Sequence, residues 1–195
     1  MNIEKKLLLL IFMLVMVAGV SGQKAALKSN LLSDAALSPN VGMEFKLARR
    51  WSLDVTGQVN LWTVQAHKWK HWLVQPEARY WFCEPMVRHF LGIHAIGGQY
   101  NFGNIKNGIS FLGSDFSRLT DNRYQGWGVG AGVAYGYTFP LSHHWNFELE
   151  VGVGFIRTRF DKFECKNCDR KDKDGPFTHN YVGPTKAAVN LVYVF

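Results

Sequence analysis

From residue 41 to the C-terminus the chain repeats one pattern, an apolar residue at every second position with polar, charged or glycine residues between. Over 53–61, Leu53, Val55, Val59 and Leu61 alternate with Asp54, Thr56, Gln58 and Asn60. Over 72–82, Trp72, Val74, Pro76, Ala78, Tyr80 and Phe82 alternate with Gln75, Glu77 and Arg79. The same period runs through 41–47 (Glu44 and Lys46 on the polar side), 127–139, 145–155 (Glu148 and Glu150) and 189–195, where Val189, Leu191, Tyr193 and Phe195 stand against Lys186 and Asn190. Period two is the signature of a β-strand and sends the two sets of side chains to opposite faces. The stretch 90–102 alternates poorly, so its facing is open, and 24–32 supplies a faint first strand. The count is eight strands.

The connections fall into two classes. Those at 48–51, 83–88 and 140–144 are tight, those at 62–71, 103–123 and 160–180 are long and polar, and 33–40 is short but falls at the long end. Aromatic residues border both ends. Trp51, Tyr80, Phe82, Phe90, Phe139, Trp145, Tyr193 and Phe195 flank the tight turns; Trp62, Trp72, Tyr100, Phe102, Trp127, Phe155 and Tyr181 flank the long loops. Within a strand the two groups lie ten to twelve residues apart. At ~3.3 Å per residue and ~40° tilt this is about 25 Å, the height of the lipid-facing band of an outer-membrane barrel. Aromatic rings favour both membrane interfaces.

The polar parity decides which face is inside. A Lys or Arg facing mid-bilayer costs about 2–4 kcal/mol. The charges are therefore expected inward, paired in a network of Glu44, Lys46, Asp54, Glu77, Arg79, Glu148, Glu150 and Lys186. A water-soluble carrier of the lipocalin type would have the opposite polarity. Eight strands enclose an interior just wide enough for side chains to fill, so the lumen is expected to be plugged rather than a water-filled pore. Glycines on the even positions of 127–139 are expected to make room for long Arg, Lys or Glu side chains opposite.

Residues 1–22 form a separate unit: Lys5 and Lys6, an uncharged apolar run over 7–18, then Gly19, Val20, Ser21 and Gly22. This is the layout of a secretory signal peptide, with cleavage placed near Gly22/Gln23. The alternative is an uncleaved anchor, but the run is short of the ~20 residues a spanning helix needs. The rest, 23–195, reads as one domain. At the far end Leu191, Tyr193 and Phe195 alternate up to the terminal aromatic, and this strand resembles the signal read by the barrel-insertion machinery.

Other constellations carry less. Cys165-Lys166-Asn167-Cys168 offers two thiolates, but a structural zinc site needs four ligands. Glu164, Asp169 or His179 would have to complete it, and a local disulfide is the competing reading in an exported chain. Cys83 lies at the opposite end of the strands, too far away to join that pair. His67, Lys68, Lys70 and His71 sit in an expected outward loop; the two histidines could hold a metal, but the group better suits a basic rim against lipid phosphates and, more simply still, a solvated segment. His143 and His144 fall in a tight turn. Ser110, Ser114, Ser117 and Asp115 share a loop, yet no histidine accompanies them as a hydrolase or acyltransferase would require. The glycines at 128, 130 and 132 run inside a strand and so are not a nucleotide loop. The net charge of +7 forms no basic stripe, which argues against nucleic acid.

Several longer stretches carry a family resemblance: Lys28-Ser29-Asn30-Leu31-Leu32, Ser38-Pro39-Asn40, Arg50-Trp51-Ser52-Leu53, Trp69-Lys70-His71-Trp72-Leu73-Val74-Gln75-Pro76-Glu77, Arg79-Tyr80-Trp81-Phe82, Gly97-Gly98-Gln99-Tyr100-Asn101, Gly132-Val133-Ala134-Tyr135-Gly136-Tyr137, Cys165-Lys166-Asn167-Cys168 and Gly183-Pro184-Thr185-Lys186. With them the chain resembles a domain-of-unknown-function family of small outer-membrane β-barrel proteins from Gram-negative gut and oral bacteria. The resemblance implies an outer-membrane barrel, no established activity, and proximity to surface-fimbria genes. The expectation is thus an all-β, eight-stranded, antiparallel, up-and-down transmembrane β-barrel in the cell outer membrane. No catalytic residue, cofactor or firm metal site is expected; Cys165 and Cys168 are the candidate metal ligands. Its partners are expected to be outer-membrane lipid and lipopolysaccharide, the insertion machinery and a surface or fimbrial protein, with a structural or interaction role through its loops. The alternatives are a fimbria accessory, a lipid-modifying enzyme and a narrow channel.

Overall fold

The computed structural model describes residues 25–61, 63–64, 67–103, 110–111, 114–115, 123–163 and 173–195; the segment expected to be the export signal lies outside these. Eight long strands follow one another: β1 (Ala25–Asn30), β2 (Asn40–Ala48), β3 (Trp51–Asn60), β4 (His67–Trp81), β5 (Arg88–Gly103), β6 (Arg123–Pro140), β7 (Trp145–Phe163) and β8 (Lys173–Val194). Each is antiparallel to its chain neighbour. β1 also pairs with β8, so the sheet closes into an up-and-down ring. The fold is all-β apart from one helix among the described residues, α1 (Leu31–Ala35). Residues Thr63–Val64, Ser110–Phe111 and Ser114–Asp115 add two-residue ladder segments.

Three strands run further toward the long-loop end than the alternation indicates. β4 begins at His67, β7 continues to Phe163 and β8 starts at Lys173. Their outer turns are polar on both faces, so the hydrogen-bonded ladder persists where the hydrophobic period has faded. β1 is shorter than expected. Asn30 ends it as the helix N-cap, its side chain accepting from Leu32 N at 3.1 Å. Asn40 answers from β2: its Oδ1 accepts from Asn30 N at 2.7 Å and its Nδ2 donates to Asn30 O at 3.0 Å and to Asp34 Oδ1 at 2.9 Å. These bonds convert 33–40 from a plain loop into a braced helical turn.

Facing follows the period. Val133 and Val151, 56% and 65% exposed, lie on the outer face, whereas Glu77, Arg79 and Glu148 are 1% exposed within the ring. In β5, Leu91 and Ile93 point out, and Phe90 and His94 point in. Phe90, counted among the ring-bordering aromatics, is fully buried. Tyr100 and Tyr181 also share the inner face by register, since Tyr181 pairs with the inward Ile156 and Tyr100 pairs with Gly126. Trp72, Trp127 and Phe155 remain outside at the long-loop end, facing Trp51, Phe82, Phe139, Trp145 and Phe195 at the other.

At the tight-turn end the interior is closed by apolar side chains. Trp81 and Phe90 pack with ring centroids 4.7 Å apart. The turn after β4 folds inward, burying Met86 beside Ala26 and Val192. Met86 takes a left-handed φ of 68° there, a conformation disfavoured for a side chain with a Cβ. Asn146 Nδ2 holds it by donating to Met86 O at 2.9 Å.

The glycine parity of β6 serves rings, not long charged chains. A Cβ on Gly136 would lie 2.2 Å from Phe90 Cζ, and one on Gly132 would lie 2.7 Å from His94 Nε2. The glycine that does accommodate a carboxylate is Gly92, whose Cβ would meet Glu77 at 2.6 Å. Gly136→Ala should therefore destabilise the ring by about 1–3 kcal/mol through overpacking. Gly97→Ala, with nothing within 4 Å of its Cβ, should be neutral or mildly stabilising; denaturant unfolding of both variants checks the contrast.

Candidate functional site

The interior charges form one cluster. Glu44, Asp54 and Glu77 stand side by side across β2, β3 and β4, because Glu44 pairs with Asp54 and Asp54 with Glu77. Like charges directly opposite repel, so this row requires cations from other strands. Arg79, two residues from Glu77 on the same face, supplies the first. Its Nε donates to Glu77 Oε1 at 2.7 Å, Nη1 to Glu44 Oε2 at 2.9 Å and to Glu148 Oε2 at 3.1 Å, and Nη2 to Glu150 Oε2 at 2.8 Å. One planar guanidinium thus joins four carboxylates from β2, β4 and β7, a task its fork of donors suits better than an ammonium. Its Cζ also sits 4.3 Å above the Phe90 ring, a cation–π contact.

Lys186 of β8 bridges Glu77 at 2.8 Å and Glu150 at 2.9 Å. Lys28 of β1 pairs with Glu44, with Asp54 at 3.0 Å and with Glu148 at 3.2 Å. Neutral donors complete the shell: Thr138 Oγ1 donates to Glu148 at 3.0 Å and Asn190 Nδ2 at 2.8 Å, both in the cross-strand row of Glu148. Ser52 Oγ donates to Glu44 at 2.5 Å while accepting from Trp81 Nε1 at 2.7 Å. His94 lies 2.9 Å from Thr185 Oγ1 and 3.6 Å from Glu77 Oε2. A register shift between Gly152 and Val153, where β7 skips Thr185, puts Thr185 in reach.

Seven of the eight residues expected in this network are brought together. Lys46 is not: it shares a row with Ser52 and Arg79 and lies half-buried near the tight-turn end, with no ion pair among the described residues. Arg79 occupies the position nearest the acids, and a second cation in its row is better solvated. Lys28, His94 and Thr185 were not foreseen. Lys28 belongs to the faintest strand, and His94 to the strand whose alternation was poor.

The remaining candidates separate. Cys165 and Cys168, with Glu164 and Asp169, lie outside the described residues, as does Ser117. Cys83 is exposed and free. His71 is not on an outward loop but within β4, half-buried on the inner face, where Gln58 Nε2 donates to its Nε2 at 3.0 Å. His144 pins the last strand, its Nδ1 lying 2.9 Å from Val194 O and its ring stacking 5.6 Å from Tyr193. Tyr193 in turn meets Trp145 and Phe195 edge-on, each at 5.1 Å. No group of three His, Cys, Asp or Glu side chains among the described residues is placed to hold a metal.

Nearer the long loops the described residues do not fill the interior. A cavity of about 530 Å³ opens there, lined by Leu73, Ile96, Ile156 and α1. The expectation of side chains filling the whole lumen therefore applies to the tight-turn half.

The family described as "Protein of unknown function (DUF3575)" matches residues 7–195. The chain is a member of DUF3575. No curated protein and no solved structure matches it. In this DUF3575 chain the stretches that carried the resemblance have structural work: Ser29, Asn30 and Asn40 brace the end of β1, Ser52 and Trp81 bond each other, and Glu77, Arg79, Thr185 and Lys186 lie in the cluster. The arrangement ties charged side chains of six strands, β1, β2, β3, β4, β7 and β8, together around one guanidinium.

Removing one member of a buried pair leaves its partner uncompensated. Arg79→Met should cost about 3–5 kcal/mol, seen as a lower denaturant midpoint, whereas Lys46→Met should change it by no more than about 0.5 kcal/mol.

Proposed function

We propose that this protein is a small outer-membrane β-barrel, exported by residues 1–22, which holds its loops at the cell surface as a structural or interaction scaffold. One observation carries the reading: the polarity of the ring is inverted. Between the two aromatic groups the outer face holds Leu, Val, Ile, Ala, Pro and aromatic residues, with no Asp, Glu, Lys or Arg among the described residues. A water-soluble protein rarely exposes a contiguous apolar surface beyond a few hundred Å², and this one encircles the molecule. The charges that such a protein would expose are enclosed instead.

Further features support it. The rings of Trp72, Trp127 and Phe155, and of Trp51, Phe139 and Trp145, form two belts that suit two membrane interfaces. Lys70, Arg157 and Arg159 face outward only beyond the long-loop belt, where lipopolysaccharide phosphates would lie. A sheet that closes through the β1–β8 ladder satisfies most of its backbone within itself, as hydrocarbon requires. No helix among the described residues is long and apolar enough to cross a membrane, which leaves strands as the means. Leu191 and Phe195 face outward on the last strand, as a segment presented to the insertion machinery should. The charge cluster and the Trp81–Phe90 plug favour a scaffold over a channel.

The full chain expressed in a Gram-negative host should fractionate with outer membranes and run faster on unheated than on heated gels. It should give no steady conductance in planar bilayers. Recovery in the soluble periplasm with no heat-dependent mobility would overturn the membrane reading, and a stable conductance would overturn the closed lumen.

A further inference from the structure

The wall of the ring has uneven height. The β1–β8 ladder stops at Asn30↔Asn190, while β8 continues to Lys173 paired only with β7 among the described residues. Where β1 would have continued stands α1, held to β8 by the Asn30 side chain, which accepts from Val189 N at 3.1 Å and donates to Ala187 O at 3.2 Å. Above that junction no strand-to-strand seal joins β8 to β1 or β2 among the described residues. The outer flanks of the gap are greasy: Leu31 and Leu32 on one side, Val182 on the other, all exposed.

The interior cavity reaches this gap. It is bordered by Leu32 of α1, by its C-cap residue Ala36 and by Ala187 of β8, and across the ring by Leu73, Ile96 and Ile156. Its volume of about 530 Å³ falls within the ~300–1,000 Å³ of small-molecule sites. No Asp, Glu, Lys or Arg lines it; aliphatic side chains and the inward Tyr100 make up much of the wall, and Ser33, Gln58, His71 and Thr158 are among its polar groups. Such a space rewards a flexible hydrocarbon chain, and its polar groups suit a head kept at the mouth.

We infer that this cavity binds a single acyl chain, entering sideways from the surrounding membrane leaflet through the gap between α1 and β8. The source of the chain rests on the membrane reading above; the cavity itself does not. Lipid tails are the molecules that would abut Leu31, Leu32 and Val182, and a linear tail passes a narrow slot that a ring system does not. The charge cluster and the Trp81–Phe90 plug form the floor, so the tail ends inside the ring rather than crossing it.

The test uses the mature chain in dodecyl maltoside, titrated with cis-parinaric acid, a fluorescent fatty acid. A saturable signal at one probe per chain, competed by palmitate, is expected. Ile156→Trp fills the cavity and should weaken binding by about ten-fold or more, because the added ring occupies the ligand's volume. Ile93→Trp places the same ring on the outer face and should bind like the parent. Heat-dependent gel mobility shows whether each variant retains the ring. Should Ile156→Trp fail to fold, native mass spectrometry of the parent with palmitate decides: a single adduct supports the site. No adduct, or a non-saturating signal equal in all three proteins, overturns it. One-to-one binding by a chain that does not enter membranes would keep the cavity and discard the membrane as its source, whereas an inserted chain without binding discards the cavity alone.

Discussion

Five carboxylates and three basic side chains are enclosed in a ring too narrow to hydrate them, and the rest of the structure accommodates that fact. Buried charges persist only where partners are close and hydrogen-bonded. Glu44, Asp54 and Glu77 form one cross-strand row, a like-charge arrangement that on an open sheet would drive the strands apart. Closure brings Lys28 from the first strand and Lys186 from the last to the same place, with Arg79 between them. The cluster is therefore both a product of closure and a reason for it, since its opposite charges come from strands that meet only when the ring is complete.

Around this layer the interior changes character along its axis. Below are Trp81, Phe90 and Met86, all buried, with the Arg79 guanidinium over the Phe90 ring. Above are His94 and Thr185, and then the cup lined by Leu73, Ile96 and Ile156. Glycine placement makes the layering possible. Gly136 yields to Phe90, Gly132 to His94 and Gly92 to Glu77, so that large side chains interdigitate across a bore that could not hold two of them at one level.

What was legible in the sequence is what two opposed media impress on a strand. Where one face meets apolar surroundings and the other meets charge, as in β3, β4 and β7, the period of two gives strand, facing and cluster membership together. Where both faces are polar the signal disappears though the strand does not, and the outer parts of β4, β7 and β8 were assigned to loops. β1 is six residues long, too few for a period to stand out, and with it Lys28 went unseen. In β5 the inward set includes Phe90 and Ile96, which hides the alternation and with it His94. The placement of Lys46 depended on what Arg79 already occupied, a competition between neighbours in space that spacing along the chain does not record. The role of the β6 glycines was misjudged for the same reason, because the rings they admit come from β5.

The seam between β1 and β8 is five residue pairs long, against eighteen between β7 and β8. It also joins the most distant parts of the described chain, Ala26 to Val194. Contacts of such separation are repaid only after nearly all other chain entropy has been surrendered. Seven pairings of consecutive strands and one long curl of sheet must therefore exist before the cylinder can shut, and the final rung falls to the shortest of the eight strands. An open ribbon thus becomes a tube at a joint of only five rungs.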